Sequence, residues 1–351
     1  MRFIHTADIH LGASPDAGSA YSQRRAEELW NSLERLVKVC EEEQVDLLLI
    51  AGDLFHRQPL LRELKEVDYL FSQLTHTKIV FIAGNHDYLK PSSYYLTYQW
   101  KSQVYPLLEQ TMGFVEFEEL GTSVYGFSYG QKEIREALYT DAFPQKKQPV
   151  EILIAHGGDE KHIPIQRNNI MNLGYDYVAL GHIHRPMEIE KNHIYYSGSL
   201  EPTDKNDVGK HGYIIGEIRG KSVKTEFVPF ASREYVHMKV ETTEQMTGRE
   251  LREKIAQMIV SGGTQNLYKI ILDGYRSPDQ VYDVSGMDAY GNVLEFVDDT
   301  KPAYDFEMLA EQNKDNLLGV YIESLKQSPE GSEEALALFE GVKALLETKR
   351  G

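Results

Sequence analysis

The chain has 351 residues, of which 41% are hydrophobic, and a formal net charge of −17. This length allows a sizeable core and two domains, and the single cysteine, Cys40, excludes a fold held together by disulfide bonds. The negative charge argues against a general polyanion-binding surface. The sequence has neither a signal peptide pattern nor an apolar run near the ~20 residues that cross a bilayer. We therefore expect a cytoplasmic protein without membrane contact, in which Cys40 is buried in the core.

The first two-thirds of the chain alternate short apolar runs with amphipathic helical stretches. In chain order, they predict a strand over 3–7, a helix over 23–43, a strand over 45–51, a helix over 60–74, a strand over 78–83 and a helix over 91–109. Further strands are predicted over 123–127, 150–155, 175–180, 194–197, 213–218 and 225–228. This order is typical of an α/β fold in which a β-sandwich is flanked by helices.

The pattern restarts after a boundary that we predict near 230–233. A strand over 235–240, a helix over 249–260 and a strand over 267–272 indicate a small α+β domain, and Pro302 separates it from a helical tail. The expected domains are 1–230, 231–300 and 301–351. The last amphipathic helix either folds back on its own domain or binds a partner protein, and its sequence favours neither.

Five short motifs rich in aspartate, asparagine and histidine follow predicted strands. Loops at the carboxyl ends of strands are where α/β proteins place their active sites. The motifs are Asp8-Ile9-His10, Gly52-Asp53-Leu54-Phe55-His56, Gly84-Asn85-His86-Asp87, His156-Gly157-Gly158 and Gly181-His182-Ile183-His184. Eleven of the twelve histidines lie between His5 and His211, so chemistry that uses imidazole belongs to this part of the chain.

Seven of these side chains are candidate metal ligands: Asp8, His10, Asp53, Asn85, His156, His182 and His184. On extended backbone, side chains two residues apart point the same way, so Asp8 and His10 can bind one face of a metal site, and the two histidines of the last motif can do likewise. A mixed set of nitrogen and oxygen ligands suits manganese, iron or zinc. Because seven ligands exceed the needs of one ion, the sequence predicts two cations that share a carboxylate.

Two neighbouring cations bind a phosphoryl oxygen and lower the pKa of a water molecule, which suits the hydrolysis of phosphate esters. Hydrolysis also needs a proton donor for the leaving alkoxide. By position, His86 is the candidate donor, and Asp87 is the candidate to orient its ring. Any one of these motifs alone is typical of a turn or a cap, but five of them in this order favour metal chemistry.

The ordered set DxH, GDxx, GNHD, isolated histidine and GHxH resembles the calcineurin-like metallophosphoesterases across residues 1 to 200. In the first metal site, the resemblance implies the ligands Asp8, His10 and His184. In the second, it implies Asn85, His156 and His182, with Asp53 bridging both cations. It also implies that His86 acts on the leaving group or on the transition-state charge.

Within this superfamily, residues 5–12 (HTADIHLG) and 51–56 (AGDLFH) resemble the SbcD-type nucleases of DNA double-strand-break repair, and most nearly their bacterial YhaO-like branch. In the archaeal and eukaryotic nucleases of this type, a histidine at the position of His56 is linked to exonuclease action. The resemblance implies a homodimer that cuts DNA, with Mn²⁺ ahead of Fe²⁺ or Zn²⁺. It further implies a capping domain after the nuclease domain, and a tail that docks on an SbcC-like, SMC-type ATPase.

Two other functions are compatible with the same motifs. One is a phosphomonoesterase or a small-molecule phosphodiesterase, for example one that acts on cyclic nucleotides. The other is a non-catalytic adaptor whose metal site is structural. The acidic net charge bears on this choice, because a DNA substrate requires positive charge from the cations, from local lysines and arginines, or from a partner.

Two further segments have open interpretations. The aromatic residues over 94–100, together with Tyr105, are typical of core packing, of a homodimer surface or of base stacking. His162 and Arg167, which follow the His156 motif, are either solvated loop residues or contacts to a phosphate.

Overall fold

The computed structural model describes residues 1–17, 22–329 and 331–350. The chain divides into two compact units, which are Met1–His237 with Gln265–Tyr268, and Met238–Thr264 with Lys269–Gly351. Among the described residues, no helix is both long and apolar enough to cross a membrane. All five motifs lie in the first unit.

The first unit contains twelve strands and three helices among its described residues. The strands are β1 (Arg2–Thr6), β2 (Leu47–Ala51), β3 (Lys78–Ile82), β4 (Val104–Pro106), β5 (Gly113–Phe117), β6 (Thr122–Gly126), β7 (Val150–His156), β8 (Tyr177–Gly181), β9 (Met187–Glu190), β10 (Ile194–Tyr196), β11 (Gly212–Arg219) and β12 (Ser222–Pro229). The helices are α1 (Ser22–Glu42), α2 (Leu61–Phe71) and α3 (Arg167–Met171).

These strands form two six-stranded sheets, which pack face to face. The first sheet has the order β12-β11-β1-β2-β3-β4, and the second has the order β5-β6-β7-β8-β10-β9. Leu49 from the first sheet and Ile154 and Ala179 from the second share one fully buried apolar cluster. The predicted α/β fold, a β-sandwich flanked by helices, is therefore confirmed.

Helices α1 and α2 cover the outer face of the first sheet. Leu33 and Leu36 of α1 and Leu64 of α2 are fully buried in one cluster with Ile50 of β2. Burying each such side chain contributes about 1.5–3 kcal/mol. Cys40 belongs to the same cluster, and burial raises its thiol pKa to about 12, which confirms a core thiol.

The polar motifs follow parallel strands whose registers are aligned. Thr6 of β1 pairs with Ile50 of β2, and Ala51 of β2 pairs with Ile82 of β3. In the second sheet, His156 of β7 pairs with Gly181 of β8. Because aligned parallel strands end at one edge of a sheet, the five loops emerge on one side of the sandwich.

The predicted helix over 91–109 is wrong. The structure has a short 3₁₀ turn at Tyr94–Leu96 and then strand β4, which pairs with β3 in parallel. The carboxylate of Asp68 on α2 accepts hydrogen bonds from the backbone N–H groups of Lys101 and Ser102 at 3.1 to 3.2 Å. These backbone groups are therefore satisfied by a distant side chain, which periodicity within the segment cannot reveal.

The aromatic residues of this segment divide between the core and the surface. Tyr95 is buried, and Trp100 packs against Phe81 with ring centroids 5.7 Å apart. Tyr94 and Leu96 are 45% and 49% exposed. The core-packing interpretation therefore describes Tyr95 and Trp100, while a homodimer surface at the exposed residues stays a prediction.

The second unit combines a small sheet with helices. Its elements, of which β13 and β14 begin in the first unit, are β13 (Tyr235–Thr242), α4 (Gly248–Gly262), β14 (Leu267–Arg276), β15 (Val293–Asp298), β16 (Lys301–Pro302), α5 (Phe306–Gln312), α6 (Leu317–Leu325) and α7 (Glu333–Arg350). The sheet has the order β13-β14-β15, with β16 beside β14. Ala310, Ile322 and Val342 join α5, α6 and α7 in one apolar cluster. The last helix thus packs on its own unit.

Candidate metal centre

The loop after β1 and the loop after β2 hold one another through backbone hydrogen bonds. The N–H of Asp8 donates to the carbonyl of Gly52 at 3.1 Å, and the N–H of His10 donates to the carbonyl of Asp53 at 3.0 Å. Asp8, His10 and Asp53 have φ angles of 50 to 52°, in the left-handed region that non-glycine residues rarely adopt. The extended backbone expected for Asp8 and His10 is therefore wrong, although both side chains still meet in one cluster.

Three predicted ligands form what we call the first half-site: Asp8, His10 and His184. His10 Nε2 lies 3.0 Å from His184 Nε2 and 3.9 Å from Asp8 Oδ1. Asp8 Oδ1 is buried and has no hydrogen-bond partner among the residues that the structure describes. An unpaired buried carboxylate oxygen beside two imidazole nitrogens is the arrangement that a divalent cation would satisfy.

Three others form the second half-site: Asn85, His156 and His182. Asn85 Oδ1 lies 2.9 Å from His156 Nε2 and 3.0 Å from His182 Nδ1. Asp53 lies between the half-sites, with Oδ2 3.5 Å from His156 Nε2 and 3.9 Å from His10 Nε2. All seven predicted ligands therefore converge, and Asp53 has the position expected of a shared carboxylate.

Opposite charges at close range shift the pKa values in this cluster. Burial alone would raise the pKa of Asp53, but His156 and the neighbouring imidazoles outweigh it and hold that pKa well below its usual range. Burial lowers the pKa of His156, yet Asp53 more than compensates and raises it to about 9. The Asp53 carboxylate and the His156 imidazole thus shift each other's pKa values in opposite directions.

The second ring nitrogen of each of three histidine ligands faces an acceptor that fixes the ring. His156 Nδ1 donates to the carbonyl of Ala51 at 2.9 Å. His184 Nδ1 donates to Asp207 Oδ2 at 3.0 Å, and His182 Nε2 donates to Asp159 Oδ2 at 2.7 Å. Sequence reasoning missed Asp159 and Asp207. Asp159 follows the His156 motif closely and could have been found there, whereas no sequence signal marks Asp207.

His86 lies beside the cluster next to His56. Their rings stack with centroids 4.7 Å apart, and the His86 ring meets that of His10 edge-on at 4.8 Å. His86 Nδ1 lies 3.2 Å from the backbone carbonyl of His56. A cleft of about 490 Å³ opens at this point, and its lining includes His56, Asn85, His86, Tyr88, Lys90 and Lys132.

Asp87 does not take the expected position beside the His86 ring. Its Oδ1 accepts the backbone N–H of Gly84, and its Oδ2 accepts the N–H of Phe55 and the hydroxyl of Tyr95. Asp87 is buried, and burial raises its pKa to about 7. The structure therefore corrects the expected orienting role, because Asp87 links the second and third motifs through backbone contacts.

His162 and Arg167 differ in how they relate to the cluster. Arg167 forms an exposed ion pair with Glu190 at 2.7 Å, which supports the solvated-loop interpretation for this residue. His162 Nδ1 donates to Asp159 Oδ2 at 2.9 Å, so His162 contacts the cluster through the acceptor of His182.

A two-sheet sandwich whose strand ends bring carboxylate, amide and imidazole donors together defines a metal-dependent phosphoesterase. The family described as calcineurin-like phosphoesterase matches residues 1–186, more than half of the chain, and the protein belongs to this family. The matched segment contains all seven candidate ligands. Members of the family are hydrolases with a dinuclear divalent metal centre, and the mixed donor set here fits such a pair of cations.

Two relatives extend the likeness. The chain is 27% identical to the uncharacterized metallophosphoesterase YhaO of Bacillus subtilis over 249 residues, which are 65% of this chain and 60% of that protein. It is 28% identical to the DNA double-strand break repair protein Mre11 of Methanopyrus kandleri over 326 residues, 81% of this chain and 68% of that protein. The matches thus span 60% to 68% of the relatives' own lengths.

Among solved structures, TT1561 of Thermus thermophilus is similar with a TM-score of 0.41 and 13% identity, over 64% of this chain and 98% of that one. This likeness is too distant to support an argument about function.

Proposed function

We propose that this protein is a Mn²⁺-dependent DNA exonuclease and endonuclease that hydrolyses phosphodiester bonds in DNA repair. The observation that carries the proposal is the stacked pair of His56 and His86, which adjoins the cluster of metal-ligand candidates at an open cleft. The similarity to the repair protein of Methanopyrus kandleri over 81% of the chain supports a DNA substrate.

In this proposal, each half-site would hold one cation, and Asp53, which lies between the half-sites, would serve both. The bound cations would polarise the phosphoryl oxygens and lower the pKa of a water molecule. His10, His156, His182 and His184 contribute nitrogen donors, and the carboxylates contribute the negative charge that a pair of divalent cations requires.

His86 is the proposed proton donor to the leaving alkoxide. Its Nδ1 faces the carbonyl of His56 at 3.2 Å, so the proton on Nδ1 is held there. In the imidazolium form Nε2 carries a second proton, and this proton would pass to the alkoxide and leave a neutral ring. The ring of His56 stacks against that of His86. Asp87 acts indirectly, because its contacts to Gly84 and Phe55 fix the loop that carries His86.

The proposal includes an SbcC-like ATPase of the SMC type as partner, a homodimer and a cytoplasmic location. It also retains a nuclease domain over 1–230, a capping domain over 231–300 and a tail over 301–351. Such a partner would supply the positive charge that the chain lacks at a net charge of −17. Lys90 and Lys132 in the cleft would contribute locally.

The same net charge favours one second candidate, a phosphomonoesterase or a small-molecule phosphodiesterase that acts on, for example, cyclic nucleotides. A single phosphate is attracted by the cations alone and does not need an extended basic surface.

The deciding experiment compares substrates at equal Mn²⁺ concentration. Purified protein is incubated with end-labelled linear DNA, with a cyclic nucleotide and with p-nitrophenyl phosphate, with and without the ATPase. We expect metal-dependent shortening of the DNA, abolished by chelation and by His86→Ala. Turnover of the small substrates while DNA stays intact in every mixture would refute the proposal and favour the second candidate.

A further inference from the structure

The two histidines of the last motif present opposite nitrogens to the metal-ligand candidates. His184 faces His10 with Nε2, and its Nδ1 donates to Asp207. His182 faces Asn85 with Nδ1, and its Nε2 donates to Asp159 at 2.7 Å. A ring nitrogen can bind a cation only through its lone pair, so the proton of each neutral ring has to stay on the other nitrogen.

A carboxylate beside one ring nitrogen determines which nitrogen keeps the proton. A carboxylate only accepts hydrogen bonds, so Asp159 holds the proton of His182 on Nε2 and leaves the lone pair on Nδ1, toward Asn85. Without Asp159, the proton can move to Nδ1 and the ring can turn, and both changes remove a donor from the second half-site.

Asp159 is itself held in place by its own loop. Its Oδ1 accepts the backbone N–H groups of Lys161 at 2.7 Å and of His162 at 3.0 Å. The ring of His162 donates to the same carboxylate through Nδ1 and lies 4.5 Å from the ring of His182. Four donors thus converge on one carboxylate and fill the about four acceptor sites that its two oxygens offer.

We propose that Asp159, supported by His162, is a positioning residue that sets the cation affinity of the second half-site through His182. Asp207 has the corresponding position behind His184 in the first half-site. The inference rests on the proposed function only in assuming that the half-sites bind cations. Removing such an outer hydrogen-bond partner typically costs about 10–100-fold in metal affinity.

The same three side chains could instead form a third cation site. The ligand atoms of Asp159, His162 and His182 lie within 4.8 Å of one another. That arrangement would require a cation in place of the proton that His182 Nε2 donates to Asp159. Because the other nitrogen of this ring faces Asn85, the ring would then have to bridge two cations as an anion.

The test is a Mn²⁺ titration of the full-length protein by calorimetry, with electron paramagnetic resonance on the same samples. Asp159→Asn keeps the shape of the side chain, and Asp159→Ala removes it. The matched control is Glu160→Gln, because Glu160 is the exposed neighbour on the same loop and loses the same charge. Asp207→Asn is the parallel change behind the first half-site.

For Asp159→Ala, we expect one of the two Mn²⁺ equivalents to bind about 10–100-fold more weakly and the other to be unchanged. The resonance spectrum should then gain the six-line signal of isolated Mn²⁺ at two equivalents per chain. Asp159→Asn should lie between Asp159→Ala and the wild type, because its amide oxygen still accepts one neutral hydrogen bond. Combining the Asp159 and Asp207 changes should weaken both equivalents.

Unchanged affinity in both Asp159 variants, or an equal loss in Glu160→Gln, would overturn the inference. So would three bound Mn²⁺ per chain in the wild type that fall to two in Asp159→Ala, since that result identifies a third cation site. The readout does not depend on DNA cutting. A wild-type protein that binds two cations but leaves DNA intact defeats the proposed nuclease function alone.

Discussion

The two half-sites use the same kinds of residues but support them differently. In the first, the acceptor behind His184 is Asp207, whose side chain is 16% exposed. In the second, the acceptor behind His182 is Asp159, which is 46% exposed. A hydrogen bond shielded from water is stronger. Two histidines only two residues apart therefore differ in which nitrogen faces the other candidate ligands and in how firmly the ring is held.

The largest expected effect comes from the residue that belongs to both half-sites. Asp53→Asn removes the negative charge that lies 3.5 Å from His156 Nε2 and 3.9 Å from His10 Nε2. We expect the affinity for both Mn²⁺ equivalents to fall by more than about 100-fold, which is the upper end of the effect of removing an outer hydrogen-bond partner. Measurable hydrolysis should be lost. A calorimetric titration in which only one equivalent weakens would contradict a shared role for Asp53.

The next effect separates chemistry from cation binding. His86→Ala should lower kcat on DNA by about 10²–10⁴-fold, the usual contribution of a proton-transfer group, while Mn²⁺ affinity stays unchanged. Bis(p-nitrophenyl) phosphate provides the control, because its nitrophenolate leaves without a proton. Equal losses on both substrates would indicate that His86 does not donate a proton to the leaving group.

The next effect compares the two half-sites by how much Mn²⁺ affinity each loses when the acceptor behind its histidine ring is changed. Because Asp207 is more buried than Asp159, we expect Asp207→Asn to weaken its equivalent more than Asp159→Asn does, both within about 10–100-fold. Paired Mn²⁺ titrations at low and high salt test whether burial is the cause, since salt screens exposed charges more than buried ones. The reverse ranking would show that burial of the acceptor does not decide the strength of support.

The smallest expected effect concerns stability behind the cluster. His5 Nε2 is 3.2 Å from the carbonyl of Leu180, so it ties β1 to β8, and burial lowers the pKa of His5 to about 3. As the pH falls, His5 is therefore protonated in the unfolded chain before it is protonated in the folded one. The free energy of unfolding consequently falls as the pH drops below about 6.5. His5→Gln should reduce the loss of unfolding free energy between pH 6.5 and 5 by about 2 kcal/mol. Urea unfolding at both pH values measures this loss for the wild type and the variant. An equal loss in both proteins would exclude His5 as a cause of the pH dependence.

Much of the centre was predictable because the ligands belong to short motifs after apolar strands. Asp8, Asp53 and Asn85 each follow a strand of the first sheet, and aligned parallel strands bring such positions together whatever the details of the loops. Their backbone conformation was not predictable, because left-handed φ angles at Asp8 and Asp53 depend on hydrogen bonds between separate loops.

The rest could not be predicted because it depends on contacts between residues far apart in the chain. Asp207 lies 23 residues from His184, and Asp68 binds backbone groups more than 30 residues away. Because of the second contact, residues 91–109 form an irregular segment and strand β4 in place of the predicted helix. Periodicity describes a segment by itself, and it carries no information about a carboxylate supplied by another element.

Asp8 and Asp53 each bind backbone through one oxygen and leave the other for the centre. Asp8 Oδ2 accepts the N–H of His182, and Asp53 Oδ1 accepts the N–H of His86, both at 2.9 Å. Because these bonds join the loops through protein groups alone, we expect the loops to keep their arrangement when a cation is removed. Dialysis against a chelator should therefore abolish hydrolysis while the circular dichroism spectrum is preserved. Re-addition of Mn²⁺ should restore turnover without refolding. If both results are found, the protein can exchange its metals as the supply in its surroundings changes.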